Sequence, residues 1–199
     1  DHKINEKFTL GTNVTVTLTD QDQGSDIAMQ EAFRLNPFLD PYDFEGKTLF
    51  PLPGKLTGPD GNLIIDKTST YNPLLEIENA IDNTRSWNII GNTYFEYKPL
   101  EWLSFKTSFA AGYSDNRRGR SWGPLTDTGS KNNNLSSARL DQIQNFNYTW
   151  DNQFNITKTF NEIHTVNLLG LYSMFSDRNE SSFASSRNMP FDTSFFNIG

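Results

Sequence analysis

The chain has 199 residues, 24 acidic against 17 basic, and a net charge of −7, a balance that argues against a nucleic-acid partner. Mean hydropathy is −0.61, and no apolar run approaches the roughly eighteen residues of a membrane-crossing helix. Aromatic content is nonetheless 14%, so helical spans are excluded while β-barrel strands remain open, and the lack of cysteine removes disulfides and thiolate chemistry.

The N-terminus carries no basic segment followed by an apolar stretch, so the expectation is a processed chain or an internal piece of a longer protein. Residues 7–19 alternate, with Phe8, Leu10, Thr12, Val14, Val16 and Leu18 on one face and Thr, Asn and Gly on the other. This is a long strand with no upstream partner in view. Residues 20–85 then form a connection far longer than the usual about four to six residues. Within it, Ser25-Asp26 caps a short helix over Ile27 to Leu35, which Asn36-Pro37 stops. Leu39 to Gly46 and Pro51-Leu52-Pro53-Gly54 read as rigid turns, and Pro59-Asp60-Gly61-Asn62 as the tip of a small hairpin.

The clearest alternation in the chain follows. Trp87, Ile89, Gly91, Thr93, Phe95 and Tyr97 share one face of residues 86–98, and Leu103, Phe105, Thr107, Phe109, Ala111 and Tyr113 one face of residues 102–114. Each strand has about a dozen residues, longer than the roughly five or six of soluble strands and enough for the about nine to eleven that cross a bilayer obliquely. Residues 115–142 are a second long polar connection. Residues 143–157 and 163–176 are two further strands, the first presenting Phe146, Tyr148, Trp150 and Phe154, the second Val166, Leu168, Tyr172 and Met174. Residues 177–199 open a third long loop.

Short turns near residues 98–101 and 158–162 thus alternate with the loops 20–85, 115–142 and 177–199. That asymmetry is expected of an outer-membrane barrel, with short periplasmic turns and long extracellular loops. The fold class read from the pattern is all-β, an antiparallel meander of long strands that forms part of a larger transmembrane β-barrel. Five strands alone leave edges whose backbone groups lipid cannot satisfy.

Particular residues carry a resemblance as well. Asn72-Pro73-Leu74 to Asn79, the hairpin from Gly91-Asn92-Thr93-Tyr94-Phe95-Glu96-Tyr97-Lys98-Pro99-Leu100 to Leu103, Phe105 and Lys106, and Asn147-Tyr148-Thr149-Trp150-Asp151-Asn152 before Thr157-Lys158-Thr159-Phe160 resemble the barrel of SusC/RagA-type TonB-dependent outer-membrane transporters. The resemblance implies a 22-stranded barrel. It also implies an N-terminal plug, which this sequence lacks, energy coupling through the TonB complex, a SusD-like surface lipoprotein acting as a lid, and a cargo of oligosaccharides or peptides. The whole chain, 1–199, is then a partial barrel domain in outer-membrane lipid, without enzymatic activity or cofactor. The rival readings are a soluble all-β carbohydrate-binding module, its aromatic face packed on a second sheet, and a small passive porin.

Arg117, Arg118, Arg120 and Trp122 form the one concentrated polar-aromatic cluster within a predicted loop. An indole stacks on a sugar ring while guanidinium groups donate to hydroxyls or carboxylates, which makes these four the candidate substrate-binding residues. The competing reading is a set of interfacial arginines that meet lipopolysaccharide phosphates or stay solvated. Asp20-Gln21-Asp22-Gln23-Gly24-Ser25-Asp26 superficially resembles the start of a calcium loop, with Glu31 twelfth when counted from Asp20, but a solvated loop is favoured over a metal site. His2 and His164 have no local carboxylate, and no nucleophile elbow or phosphate-binding glycine loop occurs.

Overall fold

The computed structural model describes residues 1–35, 41–48, 56–57, 63–65, 72–189, 194–196 and 198. In chain order the elements are β1 (His2–Lys3), β2 (Phe8–Asp22), α1 (Asp26–Arg34), β3 (Leu56–Thr57), β4 (Leu63–Ile65), α2 (Pro73–Asn79), β5 (Ala80–Leu100), β6 (Leu103–Trp122), α3 (Asp127–Lys131), β7 (Ser136–Phe160) and β8 (His164–Met189), followed by a single 3-10 turn at Ser194–Phe196. The fold is all-β: one antiparallel meander in the order β1-β2-β5-β6-β7-β8, with β3 and β4 paired separately. β2 does have an upstream neighbour, since His2 lies opposite Leu10 and Lys3 opposite Thr9.

Alternation in sequence becomes two faces in space, and cross-strand contacts identify them. On the face that carries the apolar rows, labelled outward here, the Phe8 and Tyr97 rings stack at 4.5 Å, Thr12 Oγ1 lies 3.1 Å from Thr93 Oγ1, and Trp150 Nε1 donates to Thr107 Oγ1 at 3.0 Å. On the inward face Lys106 Nζ sits 4.4 Å from the centre of the Tyr94 ring and Ser173 Oγ donates to Asp151 Oδ1. Aromatic and paired-hydroxyl contacts of this kind are the unit of sheet stabilisation, each contributing roughly 0.2–1 kcal/mol. The outward face leaves its apolar side chains uncovered: Val14 is 63% exposed, Leu168 52% and Phe109 46%.

The strands run further than hydropathy predicts. β5 begins at Ala80 rather than near residue 86, β6 continues to Trp122, β7 starts at Ser136, and β8 reaches Met189, where a loop is expected from 177. The reason is physical: past the apolar band both faces become polar, so the hydropathic period vanishes while the backbone ladder continues. At 25 residues, β7 spans roughly 80 Å, far more than a bilayer requires. The β7–β8 connection is a tight turn in which Ile163 N–H donates to the Phe160 carbonyl while Asn161 and Glu162 take left-handed φ of 53° and 58°, the geometry that suits the twist of a hairpin.

The chain divides into two compact units, Asp1–Thr19, Ser86–Asn116 and Ile143–Ser181 in one, and Asp20–Arg85, Arg117–Gln142 and Ser182–Gly199 in the other. The first, here the strand unit, consists of sheet. The second, the cap unit, holds strand ends and the helices. Ser25 Oγ accepts from Ala28 N–H and starts α1 as the sequence predicts, but two helices were not foreseen. Asn72 Oδ1 caps α2 by accepting from Leu74 N–H, with Pro73 in the first turn, and Thr126 Oγ1 caps α3 by accepting from Gly129 N–H at 2.9 Å. The buried apolar residues among those described, Ala28, Leu75, Ala138, Met189 and Phe195, all belong to the cap unit. The predicted Asn36-Pro37 stop, the Pro51-Leu52-Pro53-Gly54 turn and the Pro59–Asn62 tip lie outside the described residues, although the flanking β3 and β4 pair antiparallel.

Candidate functional site

Arg117, Arg118, Arg120 and Trp122 are strand residues, not loop residues. All four lie on β6, and strand alternation separates them: Arg118, Arg120 and Trp122 share the inward face, whereas Arg117 points to the opposite side. The sequence cluster therefore divides between the two faces of the strand.

On the inward face Arg118 grips Asp82 of β5 through two parallel hydrogen bonds, Nε to Oδ1 at 2.8 Å and Nη2 to Oδ2 at 2.5 Å. Arg120 Nη2 donates to Asp141 Oδ2 at 2.7 Å, and Arg139 reaches the same carboxylate through Nε and Nη2. Asp141 is thus a shared acceptor between two guanidinium groups. Its carboxyl is held below the usual range, chiefly by the Arg139 hydrogen bonds, with burial opposing and Arg120 adding to the effect. The Arg120 guanidinium carbon lies 5.8 Å from the Trp122 ring centre, within cation–π range, and Arg120 Nε is buried without a hydrogen-bond partner among the described residues. Arg118, Arg120 and Trp122 line a cavity of about 210 Å³ together with Ser25 and Thr128.

Arg118 is paired one-to-one with Asp82, whereas Arg120 shares the single Asp141 carboxylate with Arg139. What the cavity offers a ligand is an indole face, two hydroxyl side chains and the remaining N–H donors of paired guanidinium groups. Such a set suits a polyhydroxylated or amide-bearing molecule.

Sequence reasoning missed the residue that ties the helices together. Glu76, fully buried on α2, accepts from Ser25 Oγ at 3.3 Å and from the backbone N–H of Asp127 in the first turn of α3. One carboxylate therefore joins the caps of two helices from within the first turn of a third, where the helix dipoles favour negative charge. Burial raises its pKa above the ordinary value; the Asp127 N–H and Ser25 oppose the rise, and the nearby carboxylates of Asp127 and Glu31 add to it. Asn72-Pro73 and Thr126-Asp127 are readable capping signals; the burial of Glu76 is not.

Asp20 and Asp22 lie on β2 rather than in a calcium-type loop, and the Asn83 amide donates to Oδ1 of each, at 2.9 and 2.8 Å. Among the described residues no group of three or more His, Cys, Asp or Glu side chains is placed to hold a metal ion. His2 and His164 are exposed at strand beginnings.

No family model matches the chain. It is 26% identical over 193 residues to TonB-dependent receptor P39 of Formosa agariphila, a match that covers 92% of this chain and 17% of the receptor. Two solved structures share its fold at a TM-score of 0.68: the RagAB peptide importer in the closed-closed state, at 14% identity, and the RagAB peptide transporter, at 13%. Each superposition covers 96% of this chain and 21% of the other. The chain therefore spans about a fifth of the length of the proteins it matches. The resemblance to SusC/RagA-type TonB-dependent transporters read from its residues is found again by sequence and by fold.

Proposed function

We propose that this chain is a section of the barrel wall and extracellular vestibule of a TonB-dependent outer-membrane importer of the SusC/RagA type. One observation carries the reading: long antiparallel strands present an uncovered apolar outward face, while the buried apolar residues described all lie in the cap unit. A water-soluble sheet buries such a face against another layer; a barrel strand turns it to lipid. The rest of the barrel, a plug and coupling to the TonB complex come from the parent protein, and a SusD-like lipoprotein closes the vestibule from outside. The chain itself contributes lipid shielding and passive capture.

The cargo is an oligosaccharide or a peptide. The peptide reading rests on the likeness to the RagAB importer, and the oligosaccharide reading on Trp122 beside acid-paired arginines, a surface suited to stacking a neutral ring. Both predict the same dependence on Trp122. The test starts with fractionation and heat-dependent gel mobility of the longest natural product that contains this chain. Outer-membrane location with a mobility shift, followed by uptake that falls about tenfold in Trp122→Ala, is the expected result. A soluble product with no shift would replace the transporter reading with a soluble all-β binding module.

A further inference from the structure

The other half of the arginine cluster points to a second ligand. Arg117 lines a cavity of about 300 Å³ with Asp20, Asp22, Asn83, Arg85 and Phe196, all within the cap unit. Two backbone bonds define how the strands align there: Gly123 N–H donates to the Asn79 carbonyl and Gln23 N–H to the Asp82 carbonyl, both at 2.8 Å. Counting along the ladders from these bonds sets Arg117 opposite Arg85, and Arg85 opposite Asp20. Two arginines therefore occupy paired positions on adjacent strands, a like-charge pairing that an anion between them would relieve.

The neighbouring acids do not close an ion pair with either arginine among the described residues. Asp20 and Asp22 are drawn together by the single Asn83 amide. Both guanidinium groups are exposed, in contrast to the acid-paired Arg118 and Arg120 of the other face. Two adjacent planar forks match the geometry of a phosphate. Apolar surface adjoins them, since Phe196 on the same cavity is 75% exposed.

The source of the phosphate follows from the period of the strands. On β5 the outward series reads Arg85, Trp87, Ile89, and on β2 it reads Asp20, Leu18, Val16, so the charged row directly succeeds the apolar row on the lipid-facing side. Arginine at that level meets headgroups, not a substrate pathway. We propose that the outward-facing Arg85–Arg117 cavity binds the phosphate of an anionic lipid headgroup. This assignment rests on the outer-membrane reading above.

The test uses the full-length protein, confirmed as a folded barrel by heat-dependent mobility, in phosphatidylcholine nanodiscs doped with monophosphoryl lipid A. Retained lipid is counted by native mass spectrometry. Wild type should enrich the phosphorylated lipid, and Arg85→Gln/Arg117→Gln, still heat-modifiable, should weaken retention about tenfold. Arg178→Gln, which removes an outward arginine already paired with Glu180, should leave it unchanged. Equal retention by the double variant, or of the dephosphorylated lipid by wild type, would overturn the assignment. Inorganic phosphate competing at the lipid's own concentration would overturn the lipid source in favour of the free ion. A soluble parent protein without a mobility shift would instead sink the barrel reading and this inference with it.

Discussion

The strand unit and the cap unit obey different rules of stability. In the strand unit a single sheet leaves its large outward side chains exposed, Val14, Leu168 and Tyr172 among them, and its order comes from backbone ladders and cross-strand pairs. In the cap unit α1 packs on α2, Phe195 seats against Ala138 and Met189, and fully buried polar groups such as Asn72, Glu76 and Thr126 are satisfied by neighbouring backbone and side chains. One unit leaves its apolar side chains uncovered, and the other buries the apolar residues described. β2, β5, β6, β7 and β8 each contribute residues to both units.

Substitutions sharpen that contrast. The largest expected effect comes from charging the outward face: Val14→Arg should cost about 3 kcal/mol in lipid, whereas Asn13→Arg on the inward face of the same strand should cost little. Unfolding midpoints of the lipid-inserted protein, read by heat-dependent mobility, compare the two. Similar costs would mean that the outward face does not meet hydrocarbon.

Glycines give the next contrast. A Cβ on Gly129 would come within 2.1 Å of the Gly123 carbonyl oxygen and 2.9 Å of Pro124 Cα, backbone that cannot step aside, so Gly129→Ala should destabilise the cap unit by about 2 kcal/mol. The three atoms nearest a Cβ on Gly170 all belong to the ring of Phe154, a residue 41% exposed whose side chain can rotate toward solvent, and Gly170→Ala should cost less than about 0.5 kcal/mol. Hydrogen exchange in 127–131 and in β8 reads the two separately.

A smaller effect comes from Asp82→Asn. It leaves Arg118 one of its two parallel bonds but removes the countercharge of a partly exposed pair, and should cost about 0.5 kcal/mol, less at high salt. No change between low and high salt would assign the pair's contribution to packing alone.

The subtlest test is pH, because two carboxyl groups of the cap unit shift in opposite directions. Glu76 has a folded pKa above its ordinary 4.5, so its favourable contribution is complete below 4.5 and is lost as pH rises through the raised value. Asp141 lies below its ordinary 3.8, so its contribution is present above 3.8 and is lost as pH falls through the depressed value. Protection of the helices should therefore increase on acidification toward 4.5 and decline below 3.8. Glu76→Gln should flatten the first limb only, as hydrogen exchange across the pH series would register.

How much of this was legible differs between the two units for a physical reason. Where one face meets an apolar medium and the other does not, sequence repeats every two residues, and Trp87 to Tyr97 or Leu103 to Tyr113 can be assigned without coordinates. Where both faces are wet the period disappears. Arg117 to Trp122 then reads as a loop although the ladder runs on through it, and four residues that look like one cluster divide between two faces. α2 and α3 carried caps in the open, Asn72 and Thr126, but seven and five residues give too few turns for a hydrophobic period.

The sequence by itself determined the long strands, their outward apolar rows, the short turns and the resemblance to TonB-dependent transporters, because each rests on local spacing. Only the tertiary structure decided that Arg118 pairs with Asp82 and Arg120 with Asp141, that Arg117 and Arg85 line one cavity, and that Glu76 joins three helices from a buried position. Those are pairings between residues far apart in the chain. They follow from which strand lies beside which and in what register, information that no single segment carries.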